Sequence, residues 1–385
     1  MTVAKKTGKK GLETEEIVRS YFLQAGFFVL RGVKLRHAGD ELTDIDLWLY
    51  ERSATLARRR IIIDIKDNAQ PKAAERLFFV KGLAEFTQVE AAGIVTSDPR
   101  RSLRDLARKH NIIWIDNADL QRLKASQRLS VSSRLSDEAF YGLIGRVDAV
   151  RSTKSIRDRF NSLKSSVSDR FGPSCANQAI DYMQEFASFA MKSHPNSFQS
   201  EAFTRLVYFC AAIAAASLDF ACGEIALRPA SERLASLTSA IRHGEDAKGT
   251  AEKLRWAEAA IREFAPNGAG LAEMIRSRFN EALLSVPAEG LAEVVARMGN
   301  SERLFEGARN LEYSSYSITL PTFDELTVDA RSFLGAVLDF LGIERARFSS
   351  CWTHSGRSFA LAKDFTGESE AGENERPIEE DGKLL

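Results

Sequence analysis

DIDLWLYE (44–51) and RRRIIIDIKDN (58–68) are the two stretches on which the reading of this chain turns. Both are short and rich in β-branched or aromatic residues, and the polar connector with Arg52, Ser53 and Thr55 suits the long loop of an antiparallel hairpin. Alternate residues of a strand share a face, so Asp64 and Lys66 fall together on one side of the second strand while Ile61, Ile63 and Ile65 fall on the other. By the same rule Asp44 and Asp46 share one face of the first strand, and Ile45 and Leu47 the opposite one. Pairing the two strands brings Asp46 beside Asp64, so that two carboxylates and a lysine meet at one edge of a sheet. Carboxylates drawn out of water need compensating charge, from a divalent cation or from Lys66 itself. Oxygen-only ligands suit magnesium, with manganese as a substitute.

Upstream, GLETEEIVRSYFLQAG (11–26) has the apolar spacing of a helix, with Gly26 as its stop, and FFVLRGV follows as a strand. At about 100° per residue, Leu12, Val18, Tyr21, Phe22 and Ala25 centre the apolar arc, and Glu15 lies roughly 20° from Phe22. Glu15 therefore faces inward, either as a site residue or as the partner of a neighbouring Arg or Lys. Downstream, Pro71 opens a helical stretch to about Val89, AAGIVTSD reads as a buried strand, PRRSLRDLARKHN as an amphipathic helix, and NIIWIDNADL as a strand with a helix start. The order predicts a mixed α/β domain over 11–124, after a basic leader at 1–10.

From about Ser132 to Leu341 the pattern becomes Ala-, Leu- and Arg-rich helix, punctuated by Gly172-Pro173, Pro195-Asn196, Pro229, Pro266-Asn267-Gly268 and Pro287, with no fixed repeat. A mostly α-helical domain over 125–365 is expected, then an acidic tail at 366–385 with too few aliphatic residues to fold.

The 385 residues are 44% hydrophobic and 28% charged, the composition of a folded, water-soluble protein. Net charge is zero, but residues 1–124 carry +6 and the remainder −6, so the N-terminal part is the one suited to approach a polyanion. Arg58, Arg59 and Arg60 ahead of Asp64, and Lys72, Lys81, Arg100, Arg101, Arg104 and Arg108 after it, are candidate phosphate contacts. Cys175, Cys210, Cys222 and Cys351 lack zinc-site spacing and read as free intracellular thiols. No apolar segment follows the basic N-terminus, and Leu206–Ala221, flanked or interrupted by Arg205 and Asp219, reads as a buried helix, so a cytoplasmic protein without a membrane partner is expected. The five histidines share no spacing, and neither a Walker lysine loop nor a G-x-S-x-G elbow occurs, which disfavours ATP hydrolysis and serine hydrolase chemistry.

The helix GLETE, the strands TDIDL and IIIDIK, and the later GIVTS, helix and IIWIDNADL together resemble the PD-(D/E)xK nuclease superfamily, closest in layout to Mrr-type restriction endonuclease catalytic domains and archaeal-type Holliday-junction resolvases. The resemblance covers residues 11 to 123, about a third of the chain. It implies a restriction-endonuclease-like fold in which Glu15, Asp46, Asp64 and Lys66 are catalytic, with Asp46 and Asp64 holding Mg2+ or Mn2+. The sequence departs from the commonest Mrr pattern in having Asp64 where Glu or Gln often stands, and in lacking a glycine-rich run before the first aspartate. The activity implied is metal-dependent hydrolysis of DNA phosphodiesters, in restriction or antiphage defence, with the helical domain serving recognition, homo-oligomer formation or a partner protein such as an ATPase. The alternative is a catalytically silent subunit that uses the nuclease fold to dock nucleic acid or protein in a larger defence or repair complex.

Overall fold

The computed structural model describes residues 3–66, 72–125, 134–151, 155–244 and 247–353. Pro71 and the acidic tail expected at 366–385 lie outside them.

The N-terminal part runs α1 (Val3–Gln24), β1 (Phe28–His37), β2 (Asp40–Arg52), β3 (Arg58–Lys66), α2 (Ala73–Phe86), β4 (Ala91–Thr96), α3 (Arg101–Lys109), β5 (Ile112–Ile115) and α4 (Asn117–Ala125). Its five strands form one sheet in the order β1-β2-β3-β4-β5. The first three are antiparallel neighbours, whereas β3, β4 and β5 run parallel. The tight and hairpin-type links join the antiparallel strands, and α2 and α3 make the longer crossovers that parallel neighbours require. A mixed sheet with flanking helices followed by a mostly helical region is thus what the chain forms. The first helix begins at Val3, well before residue 11, so the basic leader belongs to it.

The remainder is α5 (Asp137–Val150), α6 (Ser155–Asp169), α7 (Pro173–Lys192), α8 (Phe198–Glu224), α9 (Ala230–His243), α10 (Ala247–Phe264), α11 (Gly268–Leu284), α12 (Ala288–Gly299), α13 (Arg303–Tyr316), α14 (Val328–Phe340) and α15 (Arg345–Ser349). Helix starts follow the sequence punctuation: Pro173 sits in the first turn of α7, while Pro229 and Pro287 cap α9 and α12. Proline suits these places because the first backbone N–H groups of a helix have no partner within it. The central helix α8 is long and apolar enough to cross a membrane, yet it is buried inside the protein almost throughout.

One face of the sheet carries Val29, Leu47, Leu49, Ile61, Ile63 and Ile65 and is covered by Val18 and Phe22 of α1 and Leu120 of α4. The other carries Leu30, Trp48, Tyr50, Ile62 and Ile94 and packs on Leu77 and Val80 of α2 and on the helical region, where Phe140, Phe160 and Phe209 continue the same core. The parts on either side of the boundary expected at residue 124 thus share one apolar core, formed by this sheet face and the helical region. Phe171 lies edge-on to Trp48 and Tyr50, at centroid distances of 4.6 and 5.2 Å, and closes this junction.

Two buried charge clusters fasten the halves. Asp219 of α8 accepts from Arg52 at 2.6 Å, Tyr50 at 2.6 Å and Arg58 at 3.1 Å. On the α1 side, the fully buried Arg19 donates to Asp137 and Glu312, both at 3.0 Å, and Lys164 donates to Asp137 at 2.9 Å. Burial alone would raise the Asp137 carboxyl, but Lys164, Arg19 and Arg31 outweigh it and hold it well below the usual carboxylate range.

Candidate functional site

The ladder between β2 and β3 ends at Leu47 opposite Ile63, one position short of Asp46 and Asp64. At that point β2 changes face. Ile45 belongs to the same core as Trp48 and Tyr50, whereas Leu47 belongs to the other, so Ile45 and Leu47 do not share a face as strict alternation predicts. On β1, Gly32 sits opposite this break with φ of 62°, a left-handed conformation open to glycine at little cost. The break turns the Asp46 carboxylate toward β3, where its Oδ2 accepts the Ile65 backbone N–H at 2.6 Å. A side chain thus replaces the missing ladder bond, and the same oxygen lies 3.6 Å from Lys66 Nζ. Of the expected meeting of Asp46, Asp64 and Lys66, the Asp46–Lys66 approach is present, with Lys66 at the solvent-exposed rim, while Asp64 pairs with Arg76.

Asp64 shares the inward face of β3 with Ile62 and points toward α2. It is buried, 6% exposed, and both its oxygens accept from the Arg76 guanidinium, one from Nε at 2.7 Å and the other from Nη2. Arg76 stands in the first turns of α2 and stacks over Phe79, with 4.2 Å from guanidinium carbon to ring centre. Burial lowers the Arg76 pKa, and the Asp46 charge opposes that shift, which puts Asp46 within electrostatic reach of it.

Glu15 approaches from α1, on the other side of the sheet. Its Oε2 accepts from Arg31 Nε at 2.7 Å, so the neighbouring-arginine reading of this inward glutamate is the arrangement observed. Burial raises the Glu15 carboxyl; the Arg31 bond and charge oppose the rise, Asp46 adds to it and Lys66 opposes it. Glu15, Asp46 and Lys66 therefore share one electrostatic environment. Arg31 also donates to Glu16 at 2.6 Å and pairs with Glu138 of α5 at 2.8 Å, linking the site to the helical region.

The four residues named from sequence lie in three separate ion pairs, Asp46 with Lys66, Asp64 with Arg76 on the α2 side of the sheet, and Glu15 with Arg31 on the α1 side. Arg31 and Arg76 were not among the expected site residues. Arg31 carries one visible sign, a charge in the middle of the apolar strand FFVLRGV. Arg76 carries none, since an arginine on an amphipathic helix ordinarily reads as surface.

The basic residues divide in two. Arg58, Arg59 and Arg60 stand at the opposite end of β3, about 20–25 Å from Lys66 at the usual strand rise, and pair with Asp219, Glu51 and Glu90. Arg58 is buried in its pair, whereas Arg59 is more than half exposed. Arg100, Arg101, Arg104 and Arg108 follow β4, whose end pairs with Lys66, and line a groove of about 350 Å³ with Trp114. Arg100 and Arg104 are paired there with Asp98 at 2.6 Å and Asp116 at 3.1 Å.

A hard divalent cation fits the donor set in type and number. Mg2+ is commonly held by one or two carboxylates, with waters and substrate phosphates completing its shell, and Asp46, in the middle of β2, and Asp64, near the end of β3, offer two on neighbouring strands. The guanidinium on Asp64 is a stand-in cation, showing that both oxygens of this carboxylate are presented to positive charge. Among the described residues no three His, Cys, Asp or Glu side chains gather as a denser metal nest. No protein-family model, curated protein or solved structure matches this chain.

Proposed function

We propose that this chain is a metal-dependent DNA endonuclease whose catalytic unit is the N-terminal α/β part, of the PD-(D/E)xK restriction-endonuclease-like type that its sequence resembles. One observation carries the reading: the break in β2 turns Asp46 onto the end of β3, 3.6 Å from Lys66 and one rung beyond the last pair that precedes Asp64. A strand designed only to pack would continue its ladder there. The strand order, with three antiparallel strands followed by two parallel crossovers, supports the same reading.

Asp46 and Asp64 would hold Mg2+ or Mn2+, which when bound supplies Lewis-acid polarisation of the scissile phosphate and a water of lowered pKa. Lys66, fixed by Asp46 and open to solvent, donates to the attacking water or to the charge that develops on the phosphate. Glu15 acts from behind, fixing the field around Asp46 and Lys66, and Arg31 is the positioning residue that holds Glu15. The helical region closes the other sheet face and, through Glu138 and Arg31, buttresses the site; selection of a DNA feature, of a partner such as an ATPase, or of a second copy of the chain is assigned to it. Restriction or antiphage defence is the setting that the resemblance suggests, in the cytoplasm.

A second reading has its own support. With both Asp64 oxygens on Arg76, the site is charge-compensated by the chain itself, as a catalytically silent docking subunit would be. Cleavage of supercoiled and linear duplex DNA with magnesium, manganese or EDTA, run beside Asp46→Asn and Lys66→Ala, separates the two. Metal-dependent cutting lost in both variants supports the nuclease; folded wild-type protein that leaves every substrate intact supports docking.

A further inference from the structure

Four charges on β2, β3 and α2 balance without any added ion: Asp46 and Asp64 against Lys66 and Arg76. The two cations are not equivalent. Lys66 makes a single, long contact of 3.6 Å and leaves Asp46 free to take another ligand. Arg76 grips Asp64 with two donors in the planar fork that matches a carboxylate, leaving neither oxygen without a partner. We propose that Arg76 is an internal competitor for the cation at Asp64, so that divalent metal enters only as the guanidinium leaves. The inference rests on reading Asp46 and Asp64 as cation ligands and adds how that site is held in check.

The geometry supports a guanidinium that can leave. The Arg76 side chain is 26% exposed, whereas Asp64 is buried, so the arginine has a path to water and the carboxylate does not. Arg76 projects from a helix anchored by Ala73, Leu77 and Val80, all buried, so its side chain can swing while the backbone stays. Stacking on Phe79 gives it a second support besides Asp64. Once released beside the site, it is free to pair with a DNA phosphate, which matches the same fork. Metal and nucleic acid would thus cooperate in opening the site, each favouring the state in which Arg76 has left Asp64.

Mn2+ binding to the full-length protein without DNA, measured by calorimetry and by the loss of free-ion paramagnetic resonance signal, tests this in wild type, Arg76→Gln, Arg76→Lys and Asp64→Asn. Pairs of intermediate burial lie between the exposed and buried cases, so removing the fork is expected to tighten Mn2+ binding about tenfold. Arg76→Lys, which keeps the charge and a folded site but loses the fork, is expected to fall between wild type and Arg76→Gln, and Asp64→Asn to bind more weakly than wild type. Equal affinity in wild type and both arginine variants would overturn the competition while leaving the metal-site reading intact. Absence of binding in folded Arg76→Gln and Arg76→Lys alike would overturn both.

Discussion

Asp219→Asn is expected to be among the most damaging single substitutions in the chain, although it changes one oxygen to nitrogen. Asp219 sits fully buried at the junction of sheet and helices and faces the Arg52 and Arg58 guanidiniums, which are 1% and 3% exposed. Arg52 keeps contacts to the carbonyls of Gly299 and Ser301, and Arg58 to that of Thr55, but these acceptors carry no net charge. Arg52 Nε and Arg58 Nη2 already lack hydrogen-bond partners. Neutralising Asp219 would leave two buried cations without their shared counter-charge, which costs about 3–5 kcal/mol by analogy with other broken buried pairs. Unfolding entropy of about 2.1 cal/mol/K per residue makes a loss of this size a fall in Tm on the order of 5 °C for a chain of this length. Tyr50→Phe removes one bond to the same carboxylate and no charge, so about 1.5–3 kcal/mol is expected. Urea titrations followed by tryptophan fluorescence and far-ultraviolet circular dichroism read both. A loss below about 1 kcal/mol for Asp219→Asn, or less than that for Tyr50→Phe, would refute the assignment of Asp219 as the shared counter-charge.

Asp137→Asn links stability to pH. The carboxyl is held below its unfolded value, so its contribution is fully present above the unfolded pKa of about 3.9 and is lost as pH falls from there toward the folded value. Denaturant titrations at neutral pH are expected to show a loss of about 3–5 kcal/mol in the variant, with the gap to wild type narrowing below about pH 4; a gap independent of pH would contradict the pairing. Lys66→Ala, at the exposed rim, is expected to cut the cleavage rate about 100- to 1,000-fold and to move stability by less than about 1 kcal/mol, as single-turnover cleavage and thermal unfolding would show. Gly93→Ala in β4 would place its Cβ 2.6 Å from Ile63 Cδ1 and 2.9 Å from Ile113 Cβ, an overpacking expected to cost about 1–3 kcal/mol in denaturant titration.

The strands were legible because AAGIVT is a short apolar run and IIIDIK is one broken only by Asp64 and Lys66, a pattern that a sheet buried on both faces accommodates. The helix starts at Pro173, Pro229 and Pro287 were legible because proline punctuates locally. What escaped depended on partners remote in sequence. The single apolar arc drawn for α1 assumes one packing surface, yet α1 lies between the sheet and α5 and α13. Leu12 and Tyr21 of that arc are about two-fifths exposed, while the polar Thr14 and Arg19, at angles within its span, are buried. A buried arginine such as Arg19 reads as surface until Asp137 and Glu312, more than a hundred residues away, are seen to meet it. The face change at Asp46 escaped for another reason: strict alternation assumes a regular strand, and the irregularity is made jointly with Gly32 on β1. At the site, Asp46, Asp64 and Glu15 were named because each sits where packing alone would put an apolar residue, and Lys66 because it shares a strand face with Asp64. Arg76 was not found, because nothing in α2 distinguishes it until the helix is laid across Asp64.

The most direct test of the central claim is the anomalous scattering of manganese in crystals of the protein grown or soaked with that ion. The account expects a peak between the Asp46 and Asp64 carboxylates with the Arg76 side chain displaced from Asp64. Well-ordered crystals with no peak at this edge, and with Arg76 still on both Asp64 oxygens at saturating manganese, would contradict it.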